Sequence, residues 1–286
     1  MRKLAVVGLQ LDLRAEDNLA RIGAEVAAVK RRFPWVDLVL LPELCAYGPS
    51  LEHAESEDGP AERAFRHLAQ LHGIWLVPGS LFQRHGDRIY NVAPVIDRAG
   101  EVVARARKLF PFRPYEEGVT PGDSFCVVPI EGVGRVGISI CYDLWFPEIT
   151  RSLVCLGAEA LLVPSLTNTI DRDAELALAR ANAASNQCYV VNVNTGSPLG
   201  VGKSIVCGPG GEVIHEAGSH FEVFPIELDL DHVDHVRRHG WHGLGQPLKS
   251  FRDSTISFPA YRRDGTSDAL DALGPLSKQR QRDDTP

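Results

Sequence analysis

Apolar residues along this chain recur with two periods. Residues 3–10 are apolar almost without interruption, with Leu4, Ala5, Val6 and Val7 in a row, the pattern of a strand covered on both faces. Residues 15–33 switch to helical spacing, with Leu19, Ile22, Val26, Val29 and Phe33 on one face. Glu16 and Asp17 are expected in the first turn of that helix and Lys30, Arg31 and Arg32 in its last, where each charge complements the helix dipole. Residues 38–41 are a second continuous apolar run, stopped by Pro42. Pro60 opens another helix, with Ala61, Phe65, Leu68 and Leu71 as its face and Gly73 as its stop. A buried strand over 74–81 follows, then a hairpin of residues 88–96 and 101–107 that turns at Asp97-Arg-Ala-Gly100.

A loop rich in proline and aromatic residues fills 109–122, long enough to carry function rather than merely connect. Beyond it, the pattern predicts strands over 125–130 and 135–140, a helix over 148–157 and a strand over 160–163. An alanine-rich helix over 171–187 comes next, then four closing strands over 188–194, 203–207, 212–216 and 222–229. Strands and helices alternate in the first half and no linker divides the chain, which predicts one α/β domain over residues 1–260. Residues 261–286, rich in Asp, Arg, Ser and Gln, predict a polar, mobile tail.

Composition narrows the partners. A net charge of −7 and a pI near 5.8 argue against nucleic acid or an anionic membrane as the main ligand. No apolar run reaches the roughly 20 residues of a membrane span, and Gln10 and Asp12 interrupt the N-terminal run before it could serve as a signal peptide. The six cysteines contain no Cys-x-x-Cys pair, and the ten histidines no metal-ligand spacing apart from a scattered group between His232 and His242 that reads as surface rather than ligand. Reduced thiols in a cytoplasmic protein, without a metal, fit that pattern.

Three polar residues end apolar runs: Glu43, Lys108 and Cys141. Strand C-termini are where ligands gather in α/β sheets. Taken singly, each has a bland reading as a loop carboxylate, a surface cation and a packed thiol. Together they supply a reaction. A free cysteine is only about 3% thiolate at neutral pH, so a carboxylate that accepts its proton on attack, Glu43, makes it a useful nucleophile. The negative oxygen formed on the attacked carbon needs donors, which Lys108 and the backbone N–H of Tyr142 would provide. A further carboxylate from Glu116 or Glu117 would hold the ammonium.

Three blocks carry a family resemblance: Leu41-Pro-Glu43-Leu44 with Tyr47-Gly48, Arg107-Lys108-Leu109 with Pro121-Gly122-Asp123, and Gly137-Ile-Ser-Ile-Cys141-Tyr-Asp143 with Phe146-Pro147-Glu148. In this order they resemble the signature of the nitrilase, or carbon–nitrogen hydrolase, superfamily, over residues 4 to about 235. The resemblance implies a four-layer αββα sandwich, a Glu43–Lys108–Cys141 triad, a thioester intermediate and no cofactor. It also implies homodimers or higher homo-oligomers packed helix layer to helix layer, through the helix after Cys141 and the alanine-rich helix. The family's additional glutamate falls on Tyr115-Glu-Glu-Gly118; Glu117 is the choice by context, with Glu116 the alternative because the interval to Pro121-Gly122 is short.

Where relatives that act on carboxylate-bearing substrates place an arginine after the cysteine block, this chain has Leu144-Trp145. Trp145, Phe146, Tyr47 and Phe112 are candidate pocket walls, with the packing of a helix start as the alternative for Trp145 and Phe146. Arg113 and Arg172 remain as cations from other loops. The leading expectation is therefore a thiol hydrolase that opens a non-peptide C–N bond of a small linear amide, releasing ammonia or an amine. A nitrilase or an N-carbamoyl amidohydrolase is the alternative enzyme. The non-enzyme alternative is a ligand-binding regulatory protein on the same fold, against which the complete triad stands.

Overall fold

The structure, a computed structural model, describes residues 1–261 and 267–276. In chain order its first half comprises β1 (Lys3–Gln10), α1 (Leu19–Arg32), β2 (Leu38–Leu40), β3 (Glu55–Ser56), α2 (Pro60–His72), β4 (Trp75–Val77), β5 (Leu81–His85), β6 (Arg88–Ile96) and β7 (Val102–Arg107). The second half continues with β8 (Cys126–Ile130), β9 (Gly134–Ile138), α3 (Pro147–Cys155), β10 (Ala160–Ser165), α4 (Arg172–Asn186), β11 (Tyr189–Asn194), β12 (Ile205–Cys207), β13 (Val213–Glu216), β14 (Glu222–Asp229), α5 (Leu230–His239) and α6 (Pro247–Arg252).

Two sheets result. One runs β14-β1-β2-β4-β6-β5-β3 with β7 on β6, and the other runs β13-β12-β11-β10-β9-β8. The period of two along β1 explains how they stack. Leu4 and Val6 point inward and meet Val136, Ile138, Leu162 and Val191 of the facing sheet in a central core. Val7 and Leu9 point outward and meet Ile22, Val26 and Val29 of α1 and Phe65 of α2. On the far side, Leu161 and Val163 of β10 pack under Leu153 of α3 and Ala179 and Ala183 of α4, while Leu162 between them faces the centre. The layers run helix, sheet, sheet, helix, the αββα sandwich that the resemblance implied.

Four differences from the sequence reading have identifiable causes. The first helix begins at Leu19, so Glu16 and Asp17 lie outside it. Buried Asn18 donates to the carbonyls of Arg14, Glu16 and Cys45, holding the preceding segment out of the helix, and Asp17 accepts from the Leu19 N–H at 2.9 Å. The run over 74–81 divides into β4 and β5 because Pro78 and Gly79 turn the chain between them. Directly after β14 comes α5, which the sequence reading left unassigned; Asp229 caps it by accepting from Asp231 and His232 amides at 3.0 and 3.2 Å. Of the tail expected to be mobile, residues 262–266 and 277–286 lie outside the described residues, and Asp268–Asp271 form a helical turn.

Gly79 locks the first of the strand ends that matter. Its φ is +70°, and a Cβ there would stand 1.6 Å from the carbonyl oxygen of Pro42, the residue before Glu43. An alanine would meet both the left-handed conformation, at about 1–2 kcal/mol, and a backbone clash that only a shift of the Pro42 segment relieves. Gly79→Ala is expected to lose more than about 2 kcal/mol in urea unfolding. An unchanged midpoint would show that the Pro42 segment yields freely.

Candidate active site

The strand ends converge at the seam between the two sheets. Glu43 follows β2 past Leu41 and Pro42, and its N–H donates to the carbonyl of Ser165 at the end of β10, 3.2 Å away. One sheet's loop is thus fastened to the other sheet. Lys108 continues the pairing of β7 with β6, donating its N–H to the Asn91 carbonyl at 2.8 Å. Cys141 lies two residues beyond Ser139, whose N–H bonds the Leu162 carbonyl at 3.3 Å and extends the β9–β10 ladder.

Lys108 is the electrostatic centre. Its Nζ lies 2.8 Å from Glu43 Oε1 and 2.8 Å from Glu116 Oε2, with the ammonium and Glu43 both buried. Asn91, fully buried on β6, spans the two carboxylates, its Nδ2 donating to Glu43 Oε1 at 2.8 Å and Glu116 Oε1 at 3.2 Å. The Leu166 amide donates to Glu43 Oε2 at 3.0 Å, and the Phe112 amide donates to Glu116. Burial pushes the Glu43 carboxyl above its ordinary range, Lys108 pulls it back and the charge of Glu116 adds to the rise. Burial disfavours the charged Lys108, yet the attraction of the Glu43 and Glu116 carboxylates outweighs it, and its pKa rises. The ammonium therefore stays charged while the carboxyl keeps an appetite for a proton.

Cys141 sits at a φ of +48°, uncommon for a residue with a side chain. The short 3-10 turn Cys141–Trp145 that it opens is held by Asp143. The Asp143 carboxylate accepts from the amides of Ile140 at 3.0 Å, Phe110 at 2.8 Å and Leu109 at 3.4 Å. It binds the cysteine turn to the loop that leaves Lys108. Burial raises the Asp143 carboxyl to about 6 against those amide contacts. Sγ of Cys141 is 3.8 Å from Thr167 Oγ1, and the Thr167 hydroxyl donates to Glu175 at 2.8 Å. Burial first, then the charge of Glu43, pushes the thiol well above its ordinary pKa, with Lys108 opposing. At rest the sulfur is a neutral thiol.

Above these groups opens a cavity of about 500 Å³. Glu43, Lys108 and Cys141 share its floor, and Phe112, Tyr142 and Trp145 form part of its wall. The Phe112 ring meets that of Tyr142 edge-on at 4.9 Å, and Tyr142 meets Phe146 edge-on at 5.3 Å. Two expectations need correction. Glu116, not Glu117, reaches Lys108: the backbone over 112–116 turns so that the Phe112 amide meets Glu116, leaving Glu117 exposed at the cavity's edge. Tyr47 is turned away from the large cavity, its hydroxyl donating to Glu55 at 2.9 Å and its ring lying against His53. Neither cation from other loops is free: Arg113 donates to the Val119 carbonyl, and Arg172 to Glu175, Asn192 and the Lys203 carbonyl. Sequence reasoning passed over Asn91, Thr167 and Glu175. A polar residue in the middle of an apolar strand was the available signal for Asn91; Glu175 on an alanine-rich helix offered none.

Comparison with known proteins bears on this arrangement. The family model described as carbon–nitrogen hydrolase matches residues 3–238. The chain is 30% identical over 255 residues to the omega-amidase NIT2 of Danio rerio, covering 82% of this chain and 91% of that protein. It is 31% identical over 271 residues to the deaminated glutathione amidase of Dictyostelium discoideum, covering 83% and 92%. Among solved structures, Nit3 of Saccharomyces cerevisiae, described as a member of branch 10 of the nitrilase superfamily, superposes with a TM-score of 0.76. It is 28% identical, over 83% of this chain and 94% of that one.

The raised Asp143 carboxyl has a signed consequence for stability. A folded pKa of about 6 against 3.8 when unfolded means that the native state holds this proton more tightly. The associated stability is present below about pH 4 and lost as pH rises through 6, about 3 kcal/mol for two pKa units. The stability of the unmodified protein relative to Asp143→Asn should fall by that order between pH 4 and 7 in urea titrations. A difference independent of pH would show that folding leaves the proton affinity of Asp143 unchanged.

Proposed function

The chain belongs to the carbon–nitrogen hydrolase family, and on that premise we propose how it opens the C–N bond of a small linear amide. Cys141 Sγ attacks the amide carbon, forming a C–S bond as its proton passes to Glu43. Lys108 and the Tyr142 N–H donate to the oxygen that becomes negative; the loss of one such donor typically costs about 3–4 kcal/mol. Glu43 then gives its proton to the nitrogen, the C–N bond breaks, and ammonia or an amine leaves a thioester on Cys141. Water, deprotonated by Glu43, attacks the thioester, and the carboxylic acid departs as the thiol regains its proton. The charge-assisted contact of buried Glu43 with buried Lys108 at 2.8 Å, beside a thiol on the floor of a cavity, carries this reading. The amidases among the relatives favour an amide over a nitrile.

Glu116 positions Lys108 in this scheme, and Phe112 and Trp145 bound the acyl group. The catalytic unit is residues 1–260, with 261–286 an appended tail. All six cysteines are free thiols, which supports a reducing, cytoplasmic compartment. No helix among the described residues is long and apolar enough to cross a membrane. For assembly we propose a homodimer through α3 and α4. Ala174, Ala177 and Ala181 lie exposed along one face of α4, where small side chains would let a second helix approach closely.

Ammonia release from a panel of primary amides tests the chemistry. Cys141→Ala should abolish it and trap no acyl adduct in mass spectrometry; unchanged turnover would end the proposal. The pH profile tests Glu43. It acts as base only when ionised, so kcat/KM should rise with pH along an acid limb displaced above the ordinary carboxylate range. Glu116→Gln removes a charge that holds the Glu43 carboxyl up, so the limb should move to lower pH while kcat falls about 100-fold. A limb that stays in place would remove Glu43 from the base role. Sedimentation should give a dimer that Ala177→Arg dissociates; a monomer before substitution would refute the interface.

A further inference from the structure

Resting on the amidase reading, we propose that the cavity selects amides whose acyl chain ends in a positively charged nitrogen and rejects those ending in a carboxylate, with Glu175 the residue that sets this. The argument begins with what a substrate carboxylate would find. Among the described residues that line the cavity, Lys108 is the sole cation, and both of its carboxylate partners hold it at 2.8 Å on the floor, where the reacting carbon must sit. The next cation, Arg172, is only 2% exposed. Its guanidinium is committed to Glu175 at 2.9 Å, Asn192 Oδ1 at 2.6 Å and the Lys203 carbonyl at 2.7 Å. Glu175 thus stands between that guanidinium and the cavity it lines. The positive end of α4 is likewise taken by its own acids, with Asp171 at the cap position and Asp173 and Glu175 in the first turn.

A positively charged group would find the reverse. Asp171 and Glu117 also line the cavity, and among the described residues neither has a cationic side chain in hydrogen-bond contact. Glu175 presents a buried carboxylate whose two oxygens receive the Thr167 hydroxyl at 3.1 and 2.8 Å. The Trp145 indole N–H reaches the same carboxylate at 3.5 Å. Phe112 and Trp145, residue types whose rings attract cations, also line the cavity. Carboxylates and aromatic rings, with no guanidinium available among the described residues that line the cavity, make a surface on which an ammonium is attracted and a carboxylate repelled.

Three amides of matched length decide it: pentanamide, 5-aminopentanamide and the singly charged amide of pentanedioic acid. Steady-state ammonia release should give kcat/KM for the ammonium compound at least about tenfold above the carboxylate compound, a gap that shrinks with added salt. Equal values, or preference for the carboxylate, overturn the proposal while turnover of pentanamide leaves the amidase reading standing. Should none of the three be hydrolysed, the amidase reading fails, and calorimetric binding of the same compounds to Cys141→Ala still decides the charge preference. Glu175→Gln should collapse the ammonium-to-carboxylate ratio, because Arg172 is released to meet an anion. Since that variant leaves a buried guanidinium without its partner and could misfold, the double variant Glu117→Gln with Asp171→Asn, both at the cavity's edge, provides a second reading. It should lower the same ratio several-fold; a ratio unmoved in both variants overturns the assignment.

Discussion

A buried ammonium shared by two carboxylates governs the architecture around the site. Removing Lys108 and Glu43 from water costs several kcal/mol per ion, and close pairing with satisfied lone pairs is what offsets it. The structure supplies that pairing from four separate segments. Glu43 comes from the loop after β2, Lys108 from the end of β7, Glu116 from the following loop and Asn91 from the middle of β6. Each must be in register for the group to be satisfied, so the ion cluster selects one arrangement of the first sheet's strand ends over near alternatives of similar hydrophobic burial.

The second sheet is brought to the same point by different means. Backbone contacts do the joining: Glu43 N–H to the Ser165 carbonyl, and the Leu166 N–H to the Glu43 carboxylate. A carboxylate that takes its donors from both sheets cannot move without loosening one of them. Cys141 is held in a conformation that L-residues disfavour, and Asp143 sustains it with three backbone amides. Strain of this kind persists only where the surroundings over-determine it, and it lifts the sulfur from the ladder into the cavity.

Much of this could be read from the chain because strand periodicity gives direction. A polar residue placed just after an apolar run stands at a strand exit, and Glu43, Lys108 and Cys141 all occupy such positions. Residues 112–118 follow no such period, so whether Glu116 or Glu117 turned inward depended on the Phe112 amide finding a carboxylate, a contact no spacing rule encodes. Tyr47 lies only four residues past Glu43, yet the turn between them sends its hydroxyl to Glu55. The helix cap went astray for a related reason: Asn18 is fixed by the carbonyl of Cys45, far along the sequence. Alternation made a single α/β domain legible and the resemblance supplied its four layers; the polar contacts that cross between segments were legible in neither.

The same accounting bears on how the thiol can work. Glu43, Glu116 and Lys108 together already carry one negative charge in excess, and a thiolate would add another beside Glu43 in a poorly solvated place. Burial and that carboxylate raise the Cys141 pKa, so pre-ionising the sulfur is the unfavourable route. Transfer of the proton to Glu43 in the proposed attack avoids it, since the total charge around Lys108 does not change as negative charge passes from carboxylate through sulfur to the substrate oxygen. The ammonium then faces the same total charge throughout, and no counterion need enter. A raised Glu43 and a raised Cys141 are therefore two consequences of one burial, and in the proposed reaction the raised carboxyl is the better acceptor for the thiol proton that it later returns to the departing nitrogen.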